Sequence, residues 1–250
     1  MSRLFFLFLL PVLCFAEIHE IKTLEELNTY LKPESLVVFD IDNTLIEPEQ
    51  ELGSDQWFEK RLSFYQSQGL SSSQAFEKTY DEYYQIQSVT KVRPVEAGTV
   101  RLVRSIDKKN RQMALTTRGY NLSYATLKQL SSVGLNFQNS PVARETYVFS
   151  ERGVLYKNGV LFTDGTHKGR SFLAFLNQAA LKPKAVIYVN DKLGPLKELE
   201  AECVKNRIGF IGLRYGFLDQ KVQEFNRSPK QRALPVFSGV LLEKKHPSLR

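Results

Sequence analysis

Apolar and polar residues follow two different periods along the chain, and the switches between them mark out the elements. Residues 35–41 (SLVVFDI) form a short, nearly continuous apolar run, the pattern of a strand covered on both faces. Runs at 113–116, 185–189 and 208–213 have the same character. Between and after them, helical spacing recurs at 95–106, 122–133, 169–180 and 196–205, with Gly134 placed to cap the second of these. Residues 23–31 (TLEELNTYL) predict a further helix, because Thr23 and Glu26 form a capping-box pair and Pro33 stops the run. In 154–162 (VLYKNGVLF), Asn158-Gly159 between two apolar runs predicts a hairpin. Strands alternating with helices predict an α/β fold built on a doubly wound parallel sheet.

From residue 46 to 92 the pattern changes. The stretch is polar, rich in Gln, Ser and Tyr, and helical in period. Trp57, Phe58, Leu62 and Tyr65 suggest one apolar helical face; Phe76, Tyr80, Tyr83, Tyr84 and Gln87 suggest another. A helical insertion over 46–92 therefore divides a core made of 17–45 and 93–226. The tyrosines read as packing of that insertion. Residues 227–250 form a basic, turn-rich tail with no clear periodicity.

The first sixteen residues do not belong to this arithmetic. Arg3 precedes an apolar run over 4–15, and Cys14-Phe15-Ala16 ends in the small-residue spacing of a secretory cleavage site. The run is too short to span a bilayer, so 1–16 reads as a signal peptide and the protein as exported, periplasmic or secreted. No later run of 18 apolar residues exists, which leaves no stable transmembrane segment after cleavage. Cleavage removes Cys14, so Cys203 is the one thiol left and no internal disulfide is possible. The formal net charge of +7 favours anionic partners, but the basic residues are spread along the chain, so nucleic acid is not favoured over a small anion.

In a doubly wound sheet, functional groups gather beyond the carboxyl ends of the strands. There stand Asp40, Asp42, Asn43 and Thr44 after the first strand, Thr116, Thr117 and Arg118 after the second, and Asn190-Asp191 after the strand 185–189. Lys168 opens the helix leading into that last strand. Paired carboxylates suit Mg²⁺, which keeps waters and bridges to substrate phosphate. A carboxylate can attack phosphorus, a second can move the proton, and a lysine and a hydroxyl can stabilise the transferring group.

Phe39-Asp40-Ile41-Asp42-Asn43-Thr44-Leu45 resembles the first motif (DxDxT) of the haloacid dehalogenase (HAD) superfamily phosphatases, and Thr116, Lys168 and Asn190-Asp191 follow in the order of its second, third and fourth motifs. The likeness covers about residues 35–215. Export, the helical insert and the LTTRG and HKG contexts are similar to a group of secreted bacterial HAD-like proteins. The resemblance implies a Rossmann-like core with a cap inserted after the first motif, and Mg²⁺-dependent hydrolysis of a small phosphorylated substrate. It makes Asp40 the nucleophile and a metal ligand, and Asp42 the general acid/base with its main-chain carbonyl on the metal. Thr116 and Lys168 contact the phosphoryl group, and Asp191 holds Mg²⁺. Thr117 and Arg118, from their place just after the second strand, are candidate substrate contacts. Position 190 is Asn, and Pro195 stands four residues after Asp191, where the superfamily commonly pairs acids; Asn190 would offer the metal a neutral oxygen. Two other functions fit the same residues: a secreted HAD-fold interaction protein without turnover, and a phosphotransferase to alcohol acceptors. His167, beside Lys168, reads as a loop histidine, and no metal-ligand spacing of His and Cys is present.

Overall fold

The structure, a computed structural model, describes residues 15–106, 110–138, 142–149 and 153–228. All but the last two residues of the expected leader, and the tail from 229, lie outside the described residues. The chain divides into a sheet unit, reaching to Glu49 and resuming over Lys91–Leu218, and a helical unit made of Gln50–Thr90 and the chain from Asp219.

The strands are β1 (Ala16–Ile21), β2 (Ser35–Phe39), β3 (Ile46–Pro48), β4 (Val92–Pro94), β5 (Arg111–Thr116), β6 (Tyr147–Val148), β7 (Leu155–Lys157), β8 (Val160–Phe162), β9 (Ala185–Asn190) and β10 (Gly209–Tyr215). The helices are α1 (Asp55–Ser67), α2 (Ser72–Gln87), α3 (Thr99–Ile106), α4 (Ser123–Ser132), α5 (Lys168–Gln178), α6 (Leu193–Lys205) and α7 (Asp219–Arg227).

Among the described residues, one sheet has the order β1-β10-β9-β2-β5-β8-β7-β6. The six strands from β1 to β8 are parallel, and β7 and β6 add an antiparallel edge. The fold is α/β, a mostly parallel sheet flanked by helices. β2 and β9 are buried along their whole length, which is why their sequences show apolar runs rather than alternation. On one face Leu36, Val38, Met113 and Leu115 pack with Phe172, Phe175, Leu196 and Leu199 of α5 and α6. On the other, Gln112 donates to the Val103 carbonyl of α3 at 3.0 Å, and Phe39 meets Phe137.

The expected hairpin is β7–β8, with Asn158 and Gly159 both at positive φ (52° and 81°), as a type I′ turn requires. A Cβ on Gly159 would lie 2.5 Å from the Phe137 carbonyl oxygen, so this turn also needs glycine for contact. Several boundaries differ from the expectation. The element at 23–31 is a shorter 3-10 helix, Leu24–Thr29, started by the Thr23 amide on Glu26 Oε1 at 2.9 Å. The helix at 95–106 begins only at Thr99, and the one at 122–133 is a 3-10 turn running into α4. β1 was not expected at all. It starts at Ala16, the residue before the expected cleavage point, and the Phe15 carbonyl accepts from Phe210 N–H at 2.9 Å.

The ends of the 46–92 segment belong to the sheet unit, where β3 and β4 pair antiparallel. The helical unit itself runs from Gln50 to Thr90 and includes α7, which the sequence pattern groups with the core. Ser54 caps α1, and Ser71 with Gln74 forms a capping box on α2. The two helices are joined by a buried fork: Arg61 donates Nε–H and Nη2–H to the Glu82 oxygens at 2.7 and 2.8 Å, and Tyr65 also bonds Glu82. Burial and the Glu82 charge push the Tyr65 phenol up to about 12. Tyr83 packs inward, edge-on to Phe58, whereas Tyr84 is exposed, so the tyrosine run is only partly core. Among the described residues, no helix is long and apolar enough to cross a membrane.

Candidate active site

β2 and β9 are the two central members of the six parallel strands. The chain leaves β2 for β5 and β8 on one side and then crosses back to β9 on the other, so the carboxyl end of β2 is a topological switch point. Asp40 stands there. Its amide continues the ladder to the Val189 carbonyl at 2.9 Å, which fixes the residue against β9. The loop beyond it is tightly wound: the Leu45 and Ile46 amides both donate to the Ile41 carbonyl, and Asn43 takes a positive φ of 56°.

The Asp40 carboxylate is almost fully buried. Oδ1 accepts from Lys168 Nζ at 2.8 Å and from the Ile41 amide at 2.8 Å. Oδ2 accepts from Asn190 Nδ2 at 2.9 Å. Lys168 also donates to the Tyr188 hydroxyl at 3.2 Å, and Asn190 Nδ2 donates to the same oxygen at 2.6 Å. Burial works to lower the Lys168 ammonium; the charge of Asp40, with hydrogen bonds to Asp40 and Tyr188, outweighs it and raises the group above the ordinary lysine range. Burial raises the Tyr188 phenol. Tyr188 has no place in the sequence reading, because in an apolar strand it looks like core. The signal that could have found it is period two: it lies two residues before Asn190 and so shares its face.

Lys168 reaches the site because α5 packs closely on α6. A Cβ on Gly169 would come within 2.3 Å of the Glu198 carbonyl oxygen, so glycine permits the approach, and the Lys168 amide is held by Glu198 Oε2 at 2.7 Å. His167 is the N-cap of α5, accepting the Arg170 amide at 3.3 Å.

Asp42 sits in a second, neighbouring cluster. Arg118 donates Nη2–H to Oδ1 at 2.8 Å and Nε–H to Oδ2 at 2.9 Å. Arg118 is buried, and its Nη1 donates to Thr126 Oγ1 at 3.0 Å and Gln129 Oε1 at 2.6 Å. Thr116 Oγ1, also buried, accepts the Arg118 amide at 3.1 Å and shapes the turn that turns the arginine inward. Arg118 thus holds Asp42, whereas its place after the strand predicts a substrate contact. The Thr117 side chain is exposed, and its carbonyl accepts the Gly165 amide at 2.9 Å.

Asn190 is fixed by contacts through both ends of its side-chain amide. Its Oδ1 accepts the Lys192 amide at 2.7 Å, and the carboxylate on its other side can only accept. These two partners fix the amide orientation, with nitrogen toward Asp40. Asp191 is brought beside the first loop by its amide, which donates to Thr44 Oγ1 at 3.2 Å.

Among the described residues no three His, Cys, Asp or Glu side chains form a ready metal cluster. The donor chemistry nevertheless suits a hard cation that keeps its waters. Asp40, Asp42 and Asp191 supply one more negative charge than the buried Lys168 and Arg118 neutralise, and Mg²⁺ is typically held by only one or two carboxylates.

The fold and this buried centre define an α/β protein whose lysine-paired aspartate lies at the switch point of its sheet. The chain belongs to the family described as "Protein of unknown function (DUF2608)", whose profile matches residues 20–235. It is similar to a protein of Chlamydia trachomatis serovar D named "Putative outer membrane protein", 26% identical over 84% of this chain and 82% of that one. A Chlamydia pneumoniae protein of the same name is 26% identical over 80% of this chain and 76% of its own length. Among solved structures, a haloacid dehalogenase-like family hydrolase from Streptococcus pneumoniae is similar at 13% identity and TM-score 0.43, covering 71% of this chain and 93% of that one. A HAD family enzyme from Bacteroides thetaiotaomicron, solved as a magnesium complex, is similar at 11% identity and TM-score 0.40, covering 72% and 93%.

Proposed function

We propose that the protein is an exported phosphomonoester hydrolase of the HAD type, acting on a small phosphorylated substrate through a phospho-Asp40 intermediate. One observation carries this reading: Asp40, buried at the carboxyl end of β2, is held between Lys168 and Asn190 with its charge compensated. A carboxylate oriented by three donors is a positioned nucleophile. The Lys168 ammonium has three hydrogens, and two are directed to Asp40 and Tyr188, which leaves one for a phosphoryl oxygen. Asn190 and the Ile41 amide keep the carboxylate from rotating, and Tyr188 holds both the lysine and the amide in place. Asp42 moves the proton of the hydrolytic water.

Asp40, Asp191 and the main-chain carbonyl of Asp42 would hold Mg²⁺, which supplies Lewis-acid stabilisation of charge on the phosphoryl oxygens. The leader pattern of residues 1–16 supports export, in keeping with the name that the chlamydial relatives carry. The test is a panel of phosphoesters with Mg²⁺, run on wild type and Asp40→Asn together. Turnover by wild type and none by a folded Asp40→Asn supports the reading; equal turnover by both overturns it.

A further inference from the structure

The leader and the sheet claim the same two residues. A cut after Ala16, where the spacing of Cys14 and Ala16 places it, removes Phe15 and Ala16. Both are built into the fold. Ala16 opens β1 and pairs with Phe210, and the Phe15 carbonyl accepts the Phe210 amide at 2.9 Å. Phe210 is fully buried, so its N–H has no water to turn to once Phe15 is gone. The Phe15 ring lies over Gly209, where a Cβ would come within 2.9 Å of two ring carbons; the bare glycine makes the seat for the ring. The Lys32 ammonium stands 4.1 Å from the centre of the same ring. Main chain, ring edge and cation therefore all hold a residue that the expected cut discards. The Ala16–Glu17 bond itself lies inside β1, whose residues are paired with β10 throughout, whereas proteolysis favours backbone free of such pairing.

We propose that the exported protein is cut between Cys14 and Phe15, so that Phe15 is the first residue of the mature chain. The proposal rests on the export reading and not on the chemistry at Asp40. Val12 and Cys14 then stand where Cys14 and Ala16 stand in the expected register, and Cys14 is the small residue before the scissile bond. The apolar run ahead of it still has the length of a leader core, roughly 7–15 residues. The agent is a signal peptidase of the exporting cell. One water is consumed: the Cys14–Phe15 amide bond breaks, the hydroxyl goes to the Cys14 carbonyl carbon and the proton to the Phe15 nitrogen. Phe15 keeps its carbonyl and its ring on the sheet, and the new ammonium falls just ahead of β1.

The experiment expresses the full chain with its own leader in a bacterium and reads the product from periplasm and medium by intact mass and amino-terminal sequencing. The expected amino terminus is Phe15. A terminus at Glu17, or at Cys14 or any residue before it in exported protein, overturns this inference and leaves export in place. A chain retained in the cytoplasm with Met1 intact overturns the export reading itself. Hydrogen exchange on chains that begin at Phe15 and at Glu17, each freed from a cleavable tag, tests the physical basis. The Phe210 amide is expected to exchange at least about tenfold faster in the shorter chain, and a shorter chain that does not fold points the same way. Equal exchange of that amide in the two chains overturns the claim that the sheet requires Phe15.

Discussion

Replacing Lys168 by Met removes the cation that compensates Asp40 while keeping an unbranched side chain of similar length. The side chain of Lys168 is 2% exposed and that of Asp40 is 10%, so water cannot replace the lost partner without opening the site. Breaking a buried ion pair from one side costs about 3–5 kcal/mol. Asp40 keeps the Ile41 amide and Asn190 Nδ2, which places the expected loss near the lower end, about 3 kcal/mol. At roughly 2–4 °C per kcal/mol for a chain of this size, the melting temperature is expected to fall by about 6–12 °C. Calorimetry on wild type, Lys168→Met, Asp40→Asn and the double variant measures the coupling. The double variant is expected to recover about 1–3 kcal/mol relative to the sum of the singles, because the orphaned charge is gone. A Lys168→Met melting temperature within about 1 °C of wild type, or strictly additive singles, would refute the buried pair on which the site is built.

Four further outcomes follow from other parts of the structure. Gly169→Ala is expected to push α5 from α6 and carry Lys168 off Asp40, lowering kcat more than KM; unchanged kinetics would mean that the close approach does not place the lysine. Lys168 has a raised folded pKa, so its contribution is complete below about pH 10.4 and is lost as pH climbs through the folded value. The phenols of Tyr188 and Tyr65, and that of Tyr215, raised by burial and by its hydrogen bond to Glu96, act in the same direction, because the unfolded chain releases those protons first; urea midpoints should therefore drop from about pH 10 upward, and a flat profile to pH 11 contradicts the shifts. Glu82→Ala leaves Arg61 buried without its carboxylate, and hydrogen exchange should show α1 and α2 losing protection by about 3 kcal/mol, whereas unaltered exchange would show that the fork is not what joins them. Chelation by EDTA should silence hydrolysis and added Mg²⁺ restore it; full activity in EDTA is the opposite result.

Much of the fold was legible because the central strands are buried on both faces and so announce themselves as apolar runs. β2, β5, β9 and β10 all stand where such runs predict them. β1 is hidden for the complementary reason: as an edge strand its AEIHEI sequence places Glu17, His19 and Glu20 among six residues and looks like a linker. The ends of the helical unit are hard to read from sequence, since β3 and β4 are three-residue strands paired, among the described residues, with each other, and α7 is a short helix far along the chain from α1.

The same division holds at the site. Asp40, Lys168 and Asn190 were identified at strand and helix ends, and the structure places them in direct contact. What one chain position cannot show is which partner a side chain selects. Arg118 follows an exposed threonine and looks available to substrate, yet its guanidinium turns inward to a carboxylate 76 residues away. Asn190 reads in sequence only as a neutral oxygen donor, whereas the structure shows its amide nitrogen on Asp40 and its oxygen on a main-chain amide. Tyr188 is silent in sequence because a tyrosine inside an apolar strand looks like core packing, and its hydroxyl meets Lys168 and Asn190 only once the chain is folded.

The proposed hydrolysis requires Asp40 to become phosphorylated. Rapid acid quenching of wild type during turnover of a phosphoester, followed by peptide mass spectrometry, detects this intermediate. A phosphoryl group is expected on the peptide containing Asp40, at the carboxylate of that residue, and none in Asp40→Asn. Steady turnover with no phosphorylated peptide at any quench time, or phosphate found on another residue while Asp40 stays unmodified, would contradict it.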